Sequence, residues 1–229
     1  VAFDSLGRLY VSDCNNQRIQ IFEFDTEGNP VWIHMLGETE VSGNDNFHFK
    51  YPERIAIQND LLFVADSENH RIQVFDVSNS DPTLFAYLTT IGTSGDPGND
   101  NDHLDSPFGV AANSDFVAIS EGNNNRIQIY NRSDLQYIAT AVTFGTDPGY
   151  TWNPRDVVFD SSSNLYIADS YNHRVELFIK QAGANWTYNR MIGTTNVPYL
   201  TDNYHFNNPR VAIDGDNNLI VIEEKGQRL

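Results

Sequence analysis

Three histidines occupy the same position in a repeated pattern, four residues before a proline, and imidazole is a common zinc ligand. They stand in "NFHFKYP", "NDHLDSP" and "NYHFNNP" as His48, His103 and His205. If the loops that carry them meet, three imidazoles can converge as in a tri-histidine zinc site. The alternative is structural, with each histidine and the apolar residue after it packing to hold the loop. The structural interpretation is favoured.

An acidic loop is the second candidate metal site, because calcium binds carboxylate and amide oxygens. The stretch "GDPGNDNDHLD" contains Asp96, Asp100 and Asp102 within eleven residues. It does not match the Asp-x-Asn-x-Asn-Gly loop with a terminal glutamate that is typical of calcium-binding helix pairs. A solvated loop is the favoured interpretation, so no cofactor is expected and calcium stays the open alternative.

An acidic residue, an asparagine and an arginine recur at fixed spacing, which is a pattern of hydrogen-bonding chemistry. A carboxylate at a strand end can accept amide hydrogens of the next turn, asparagine suits a left-handed position, and guanidinium favours bidentate acceptors. An active site is needed once, whereas a structural clasp is useful in every repeat, so no catalytic residue is predicted. The predicted clasp residues are Asp13, Asn16, Arg18, Asp66, Asn69, Arg71, Glu121, Asn124, Arg126, Asp169, Asn172 and Arg174.

These residues mark an internal repeat. Four full copies read "VSDCNNQRIQIF", "VADSENHRIQVF", "ISEGNNNRIQIY" and "IADSYNHRVELF", and a degenerate fifth reads "VIEEKGQRL". The spacings between successive arginines are 53, 55, 48 and 54 residues, for Arg18, Arg71, Arg126, Arg174 and Arg228. An independent marker keeps the same period, namely the prolines Pro52, Pro107, Pro154 and Pro209.

Each period predicts four short strands, because Val, Ile, Phe and Tyr alternate with polar residues and Gly, Asn and Asp interrupt them. In the second copy the strands are "RIAIQ", "LLFVADS", "RIQVFDV" and "LFAYLTTIG". Four antiparallel strands per repeat are typical of a β-propeller blade, and no helix is required. The prediction is an all-β, single propeller domain over residues 1–229, with four full repeats and a partial fifth. It is expected to be part of a longer ring, incomplete at both ends.

The chain resembles the NHL-repeat β-propeller family over nearly its whole length, most closely in "VADSENHRIQVF" and "IADSYNHRVELF". It departs from the family pattern where Glu121 and Glu223 replace aspartate and Gly226 replaces asparagine. The family includes an amidating lyase whose zinc-binding histidines directly follow the blade proline. The residues at those positions here are Glu53, Phe108, Arg155 and Arg210, so the resemblance transfers no zinc ligand.

Charge excludes one class of partner. The chain has 14 basic and 31 acidic residues, which gives a net charge of −17. Nucleic acids and anionic lipids are bound largely through lysine and arginine clusters, so nucleic acid is not an expected partner. No apolar run approaches the roughly 20 residues of a membrane helix, so direct membrane insertion is not expected.

Two functional hypotheses follow. The favoured one is a non-catalytic propeller that binds a protein or a glycan through its loops, or that assembles with itself or others into a surface structure. The alternative is a metal-dependent enzyme similar to lactonases or lyases, with calcium or zinc in the channel. Sequence motifs for nucleophilic, zinc-peptidase or phosphate-binding chemistry are missing, which favours the binding protein.

An extracellular or cell-surface location is predicted from two glycosylation acceptors, "NRS" at Asn131 and "NWT" at Asn185. Both fall between the third and fourth strands of a repeat. We expect both asparagines to be exposed there, because a glycan on such a turn extends into water.

Overall fold

Strands dominate the structure, a computed structural model that describes residues 1–195 and 206–223. Within those residues it contains eighteen β-strands and four 3₁₀ helices of three residues each. The all-β prediction is therefore confirmed. Among the described residues, no helix has the length and apolar character that a membrane crossing requires.

The strands form antiparallel sheets in which hydrogen-bonded neighbours follow one another along the chain. Sheets 1 to 4 have four strands each, and a two-stranded hairpin, sheet 5, follows them. The strands are β1 (Ala2–Phe3), β2 (Leu9–Asp13), β3 (Arg18–Phe24) and β4 (Pro30–Gly37) in sheet 1; β5 (Pro52–Gln58), β6 (Leu61–Asp66), β7 (Arg71–Asp76) and β8 (Ala86–Ile91) in sheet 2; β9 (Pro107–Ala112), β10 (Phe116–Glu121), β11 (Arg126–Asn131) and β12 (Tyr137–Val142) in sheet 3; β13 (Pro154–Phe159), β14 (Leu165–Asp169), β15 (Arg174–Lys180) and β16 (Trp186–Gly193) in sheet 4; and β17 (Pro209–Ile213) with β18 (Leu219–Glu223) in sheet 5.

The repeat prolines each begin the first strand of a sheet, and the repeat arginines of sheets 1 to 4 each begin the third strand. In sheet 2 the predicted strands agree with the observed ones to within two residues at each end. The register is equivalent between repeats, since Ile55 pairs with Val64, and Val157 with Ile167. The repeated sequence therefore places chemically similar residues at equivalent sheet positions.

The described residues form two compact units, which divide between Val110 and Ala111. The core of the first unit contains Tyr10, Ile19, Phe49, Leu62 and Phe75, all 6% exposed or less. Phe49 comes from the loop before sheet 2, so that loop is anchored by apolar burial as well as by hydrogen bonds.

The core of the second unit is built from residues of sheets 3 and 4. Its members include Ile127, Ile129, Val157 and Ile167, each fully buried. Strands β14 and β15 are almost entirely buried, which requires both faces of sheet 4 to be covered. Polar residues on these strands must therefore find their hydrogen-bond partners inside the protein.

Candidate functional site

The clasp of sheet 4 is a buried ion pair in which both carboxylate oxygens of the aspartate accept hydrogen bonds. Asp169 Oδ2 accepts hydrogen bonds from Arg174 Nε and Asn172 Nδ2, both at 2.8 Å. Asp169 Oδ1 accepts from Trp152 N at 2.7 Å and from Thr151 Oγ1 at 3.1 Å. Burial raises the pKa of Asp169, and these donors oppose that shift because they stabilise the carboxylate.

Arg174 uses most of its remaining donors on the loop that enters sheet 4. Its Nη1 donates to the carbonyl of Thr146 at 2.9 Å, and its Nη2 donates to the carbonyls of Asp147 and Tyr150, both at 2.8 Å. Asn172 Nδ2 donates to the carbonyl of Gly145 at 2.9 Å. The clasp therefore binds loop 143–153 almost entirely through its backbone, which leaves the loop side chains to vary.

Sheet 2 repeats this arrangement with loop 38–51. Arg71 Nε donates to Asp66 at 2.7 Å, and its terminal nitrogens donate to the carbonyls of Asn44, Asp45 and His48 at 2.8, 2.7 and 3.0 Å. Asp66 Oδ1 accepts from Lys50 N at 2.6 Å. We call loops 38–51 and 143–153 the clasped loops, because each is held by the arginine of the sheet that it enters.

Sheets 1 and 3 carry weaker or altered versions of the clasp. In sheet 1, Arg18 donates to Asp13 at 2.8 Å, but both side chains are 21% exposed. In sheet 3, Glu121 takes the place of aspartate and accepts from Arg126 Nε at 2.5 Å and from Asn124 Nδ2 at 2.7 Å. The longer glutamate still reaches the arginine, so the substitution preserves the ion pair.

Two details of the turn differ from the sequence expectation. The left-handed residue is not the asparagine but the residue after it, as in His70 at a φ of 56° and His173 at 58°. Asn69 lies instead in a 3₁₀ turn, from which its side chain reaches Asp66 at 2.8 Å. The Asp66 side chain makes no capping bond to that turn, because its oxygens accept from the asparagine, the arginine and the entering loop.

The sequence analysis did not predict that the side chain of the left-handed residue accepts a hydrogen bond from the entering loop. Gln17 Oε1 accepts from Tyr51 N at 2.7 Å, and Asn125 Oδ1 accepts from Asn153 N at 2.8 Å. His70 Nδ1 accepts from Ser106 N at 3.2 Å. The donor in each case is the residue before the repeat proline. The sequence contained the signal: in all four full copies the residue between the asparagine and the arginine has a side chain that can accept a hydrogen bond.

Two histidines of the zinc hypothesis, His48 and His103, are each engaged within their own loop. His48 Nδ1 lies 2.9 Å from Asp45 and its Nε2 lies 3.5 Å from Glu38. The hydrogen bond that His48 donates to the Asp45 carboxylate raises the pKa of His48 above its ordinary value. His205 lies outside the described residues. The described part of the chain holds no group of three or more metal-ligating side chains, and the zinc site stays a prediction.

The acidic loop uses one of its carboxylates internally. Asp100 Oδ1 accepts from the backbone nitrogens of Asp102 and His103, at 3.0 and 2.9 Å, and from His103 Nδ1 at 2.7 Å. The hydrogen bond between the His103 ring and Asp100 raises the pKa of His103. Asp96 lies 3.6 Å from the other ring nitrogen. The calcium hypothesis for Asp96, Asp100 and Asp102 also stays a prediction.

A buried glutamate distinguishes sheet 4 from the other sheets. Glu176 occupies the position of Gln20, Gln73 and Gln128, and it is fully buried. Its Oε1 accepts from Gly149 N at 3.0 Å and lies 3.0 Å from Arg174 Nη2, whereas its Oε2 has no hydrogen-bond partner among the described residues. Burial raises the pKa of Glu176 to about 7. A proton on this side chain can therefore exchange near neutral pH.

The two glycosylation acceptors differ in exposure. Asn185 is exposed and directly precedes β16, as expected. Asn131 is half-buried at the end of β11, because its Oδ1 accepts from Ser133 N and Ser133 Oγ at 2.9 and 2.8 Å. The expectation that both side chains are exposed therefore holds for Asn185 alone.

The sheet architecture defines an all-β protein of the β-propeller class. The NHL repeat matches residues 1–22, 49–75 and 151–178, which include the clasp arginines Arg18, Arg71 and Arg174. The chain carries NHL repeats, and the resemblance to the NHL-repeat β-propeller family is confirmed. No curated protein sequence matches the chain.

Solved structures similar to the chain support the same fold class. The periplasmic gluconolactonase PpgL of Pseudomonas aeruginosa has a TM-score of 0.63 at 13% identity, covering 96% of this chain and 63% of that one. Streptogramin B lyase has a TM-score of 0.61 at 11% identity, covering 99% and 62%. Glutaminyl cyclase of Myxococcus xanthus has a TM-score of 0.56 at 11% identity, covering 96% and 82%. The chain spans less than two thirds of the first two structures, and identities this low show the fold alone.

Proposed function

We propose that the chain is a non-catalytic propeller that works outside the cytoplasm as a binding and structural scaffold and takes a protein or glycan partner through its clasped loops. The observation that carries the proposal is the chemistry of the clasp. Asp66, Arg71, Asp169 and Arg174 are at most 1% exposed, and their polar atoms bind loop backbone. Charged residues used in this way hold a surface in place and do not act on a substrate.

The clasped loops carry exposed aromatic side chains. Phe47 is 73% exposed in loop 38–51, and Phe144 and Tyr150 are 59% and 46% exposed in loop 143–153. Aromatic side chains are enriched where proteins bind partners, because they offer a large contact area at a low cost in conformational entropy. A rigid loop backbone further lowers the entropy that binding must overcome.

Charge and fold relatives support an extracytoplasmic partner other than nucleic acid. The net charge of −17 repels phosphate backbones. One of the similar folds is a periplasmic protein by its name. The lactonase-like and lyase-like alternatives would require a metal site, and no side-chain cluster within the described residues favours one.

Binding of the purified chain to cell-envelope material from its own source tests the proposal. We expect the wild-type chain to sediment with this material, and Phe47→Ser with Phe144→Ser to weaken the binding by about tenfold or more, as truncated interface aromatics do. Leu6→Ser is the matched control, because Leu6 is 58% exposed in the turn between β1 and β2. Equal sedimentation of the loop variant would contradict the proposal, and calcium-dependent lactone hydrolysis by the chain would favour the enzyme.

A further inference from the structure

We propose that loop 143–153, at the entrance to sheet 4, is a binding site for an uncharged oligosaccharide. This inference rests on the proposed binding function and specifies the ligand of one clasped loop. It is supported by the sequence of this loop, by the exposure and geometry of its rings, and by an adjacent cleft.

Loop 143–153 differs from the other entry loops at the positions that face solvent. Tyr150 stands where His48 and His103 stand in the other loops, and Trp152 stands where Lys50 and Asp105 stand. The equivalence is structural, because a Cβ on Gly145 would lie 2.6 Å from Tyr150 Cβ, just as one on Gly43 would lie 2.8 Å from His48 Cβ. Aromatic rings thus replace charged or titratable groups in this one loop.

These rings are exposed together. Phe144 is 59% exposed, Trp152 39%, and Tyr171, from the turn between β14 and β15, 46%. Phe144 and Trp152 meet edge to face at 6.2 Å and 89°, and Trp152 and Tyr171 meet at 5.6 Å and 74°. We call these three side chains the aromatic row. Contiguous exposed aromatic surface on a soluble protein marks a binding site.

A cleft of about 430 Å³ adjoins the aromatic row. It is lined by Phe144, Gly145, Thr146, Asp147 and Tyr150, so its lining combines two aromatic residues with two exposed polar ones. Sites for small ligands commonly enclose about 300 to 1,000 Å³ and combine aromatic walls with a few polar groups. A cleft of this size accommodates sugar residues.

The backbone under the cleft is held rigidly before any ligand binds. Arg174 donates to the carbonyls of Thr146, Asp147 and Tyr150, and Asp169 accepts from Trp152 N. Four of the loop residues that carry the site are therefore fixed by one buried ion pair. A site formed in advance loses less conformational entropy on binding.

The chemistry of the site selects the ligand class. A pyranose ring presents C–H groups on its faces, which pack on aromatic rings, and hydroxyl groups at its edge, which require acceptors such as the exposed Asp147 carboxylate. Sulfated or uronic-acid sugars would meet this carboxylate and a protein of net charge −17. The ligand is therefore an uncharged oligosaccharide.

Calorimetric titration with maltoheptaose, cellohexaose and mannohexaose tests the inference, with a hexameric oligogalacturonate as the anionic comparison. We expect at least one neutral oligosaccharide to bind and the galacturonate not to bind. Trp152→Ala and Phe144→Ala should each weaken binding by about tenfold, the effect typical of an anchoring aromatic side chain. Trp32→Ala is the matched control, because Trp32 is 53% exposed on β4 in the other compact unit.

Thermal unfolding of each variant separates a lost site from a lost fold, and Trp152→Phe should retain part of the affinity because it keeps a ring. The inference is overturned if none of the three neutral oligosaccharides binds or if both alanine variants bind as wild type. If envelope binding persists in that case, the proposed scaffold function stands and only the ligand class is wrong. If envelope binding is also missing, both proposals fail.

Discussion

Replacing Glu176 with glutamine should remove a large part of the pH dependence of folding. Glu176 is fully buried, and its Oε2 has no hydrogen-bond partner within residues 1–195 and 206–223. The ionised carboxylate is opposed by its burial and by the neighbouring Asp169, whereas Gly149 N and Arg174 partly stabilise it. The unfolded chain exposes the same carboxylate to water. Folding therefore favours the protonated side chain.

The sign and size of the effect follow from the two pKa values. Folding raises the pKa of Glu176 from 4.5 to about 7. The stabilisation is fully present below the unfolded value and is lost as the pH rises from 4.5 through about 7. A shift of about 2.5 units corresponds to about 3.4 kcal/mol, of which about 2.5 kcal/mol falls between about pH 5 and about pH 8.

Urea unfolding of wild type and Glu176→Gln at these two pH values measures how much Glu176 contributes to the pH dependence of the unfolding free energy. Other groups titrate equally in both proteins, so the difference between the proteins isolates this one side chain. We expect the variant to gain about 2.5 kcal/mol relative to wild type as the pH rises from about 5 to about 8. A difference between the two proteins that does not change with pH would show that Glu176 is ionised throughout, and would refute the argument.

Three further predictions concern the clasp and the loops. Arg71→Ala should lower the free energy of unfolding by about 3 to 5 kcal/mol, because it leaves a buried carboxylate without its ion pair. Arg18→Ala, at a pair whose side chains are partly exposed, should cost about 1 kcal/mol or less. Equal losses of stability in denaturant unfolding would contradict this contrast. In an NMR titration His48 should titrate above its ordinary 6.5, and Asp45→Asn should lower its midpoint. If the native protein is secreted, mass spectrometry should find glycan at exposed Asn185; an unmodified site would argue against an extracellular location.

The repeat made most of the fold predictable. Strand positions followed from the alternation of apolar residues, and the prolines and arginines gave two independent markers of strand starts such as Pro154 and Arg174. The ion pairs between strand ends were also predictable, because acid and arginine recur five residues apart in every full copy. Local patterns suffice here because each sheet is formed by consecutive strands.

Partners distant in sequence were not predictable. The sequence did not show that Arg71 would bind carbonyls more than twenty residues away in loop 38–51, since backbone acceptors carry no residue signature. It also did not show that His70 would take the left-handed position, because asparagine has the stronger intrinsic preference for it. The interaction of Asn69 with Asp66 outweighs that preference.

The equivalence of sheets 2 and 4 allows a reciprocal test of the buried glutamate. Gln73 is fully buried, and its Nε2 donates to the carbonyl of His48 at 2.9 Å and to Asp66 at 3.2 Å. Gln73→Glu would replace this donor with a carboxylate beside Asp66, and Gln73 Oε1 has no hydrogen-bond partner in the part of the chain that the structure describes. The pKa of the new carboxylate should therefore rise at least as far as that of Glu176.

The variant should thus gain a pH dependence of about 2.5 kcal/mol or more between about pH 5 and about pH 8, in the direction that weakens folding as the pH rises. Urea unfolding across the same pH range measures it, and wild type is the control. A variant with the pH profile of wild type would mean that water reaches the Gln73 position. Burial at this sheet position would then not explain the raised pKa of Glu176 either, because residues 73 and 176 occupy equivalent positions in their sheets.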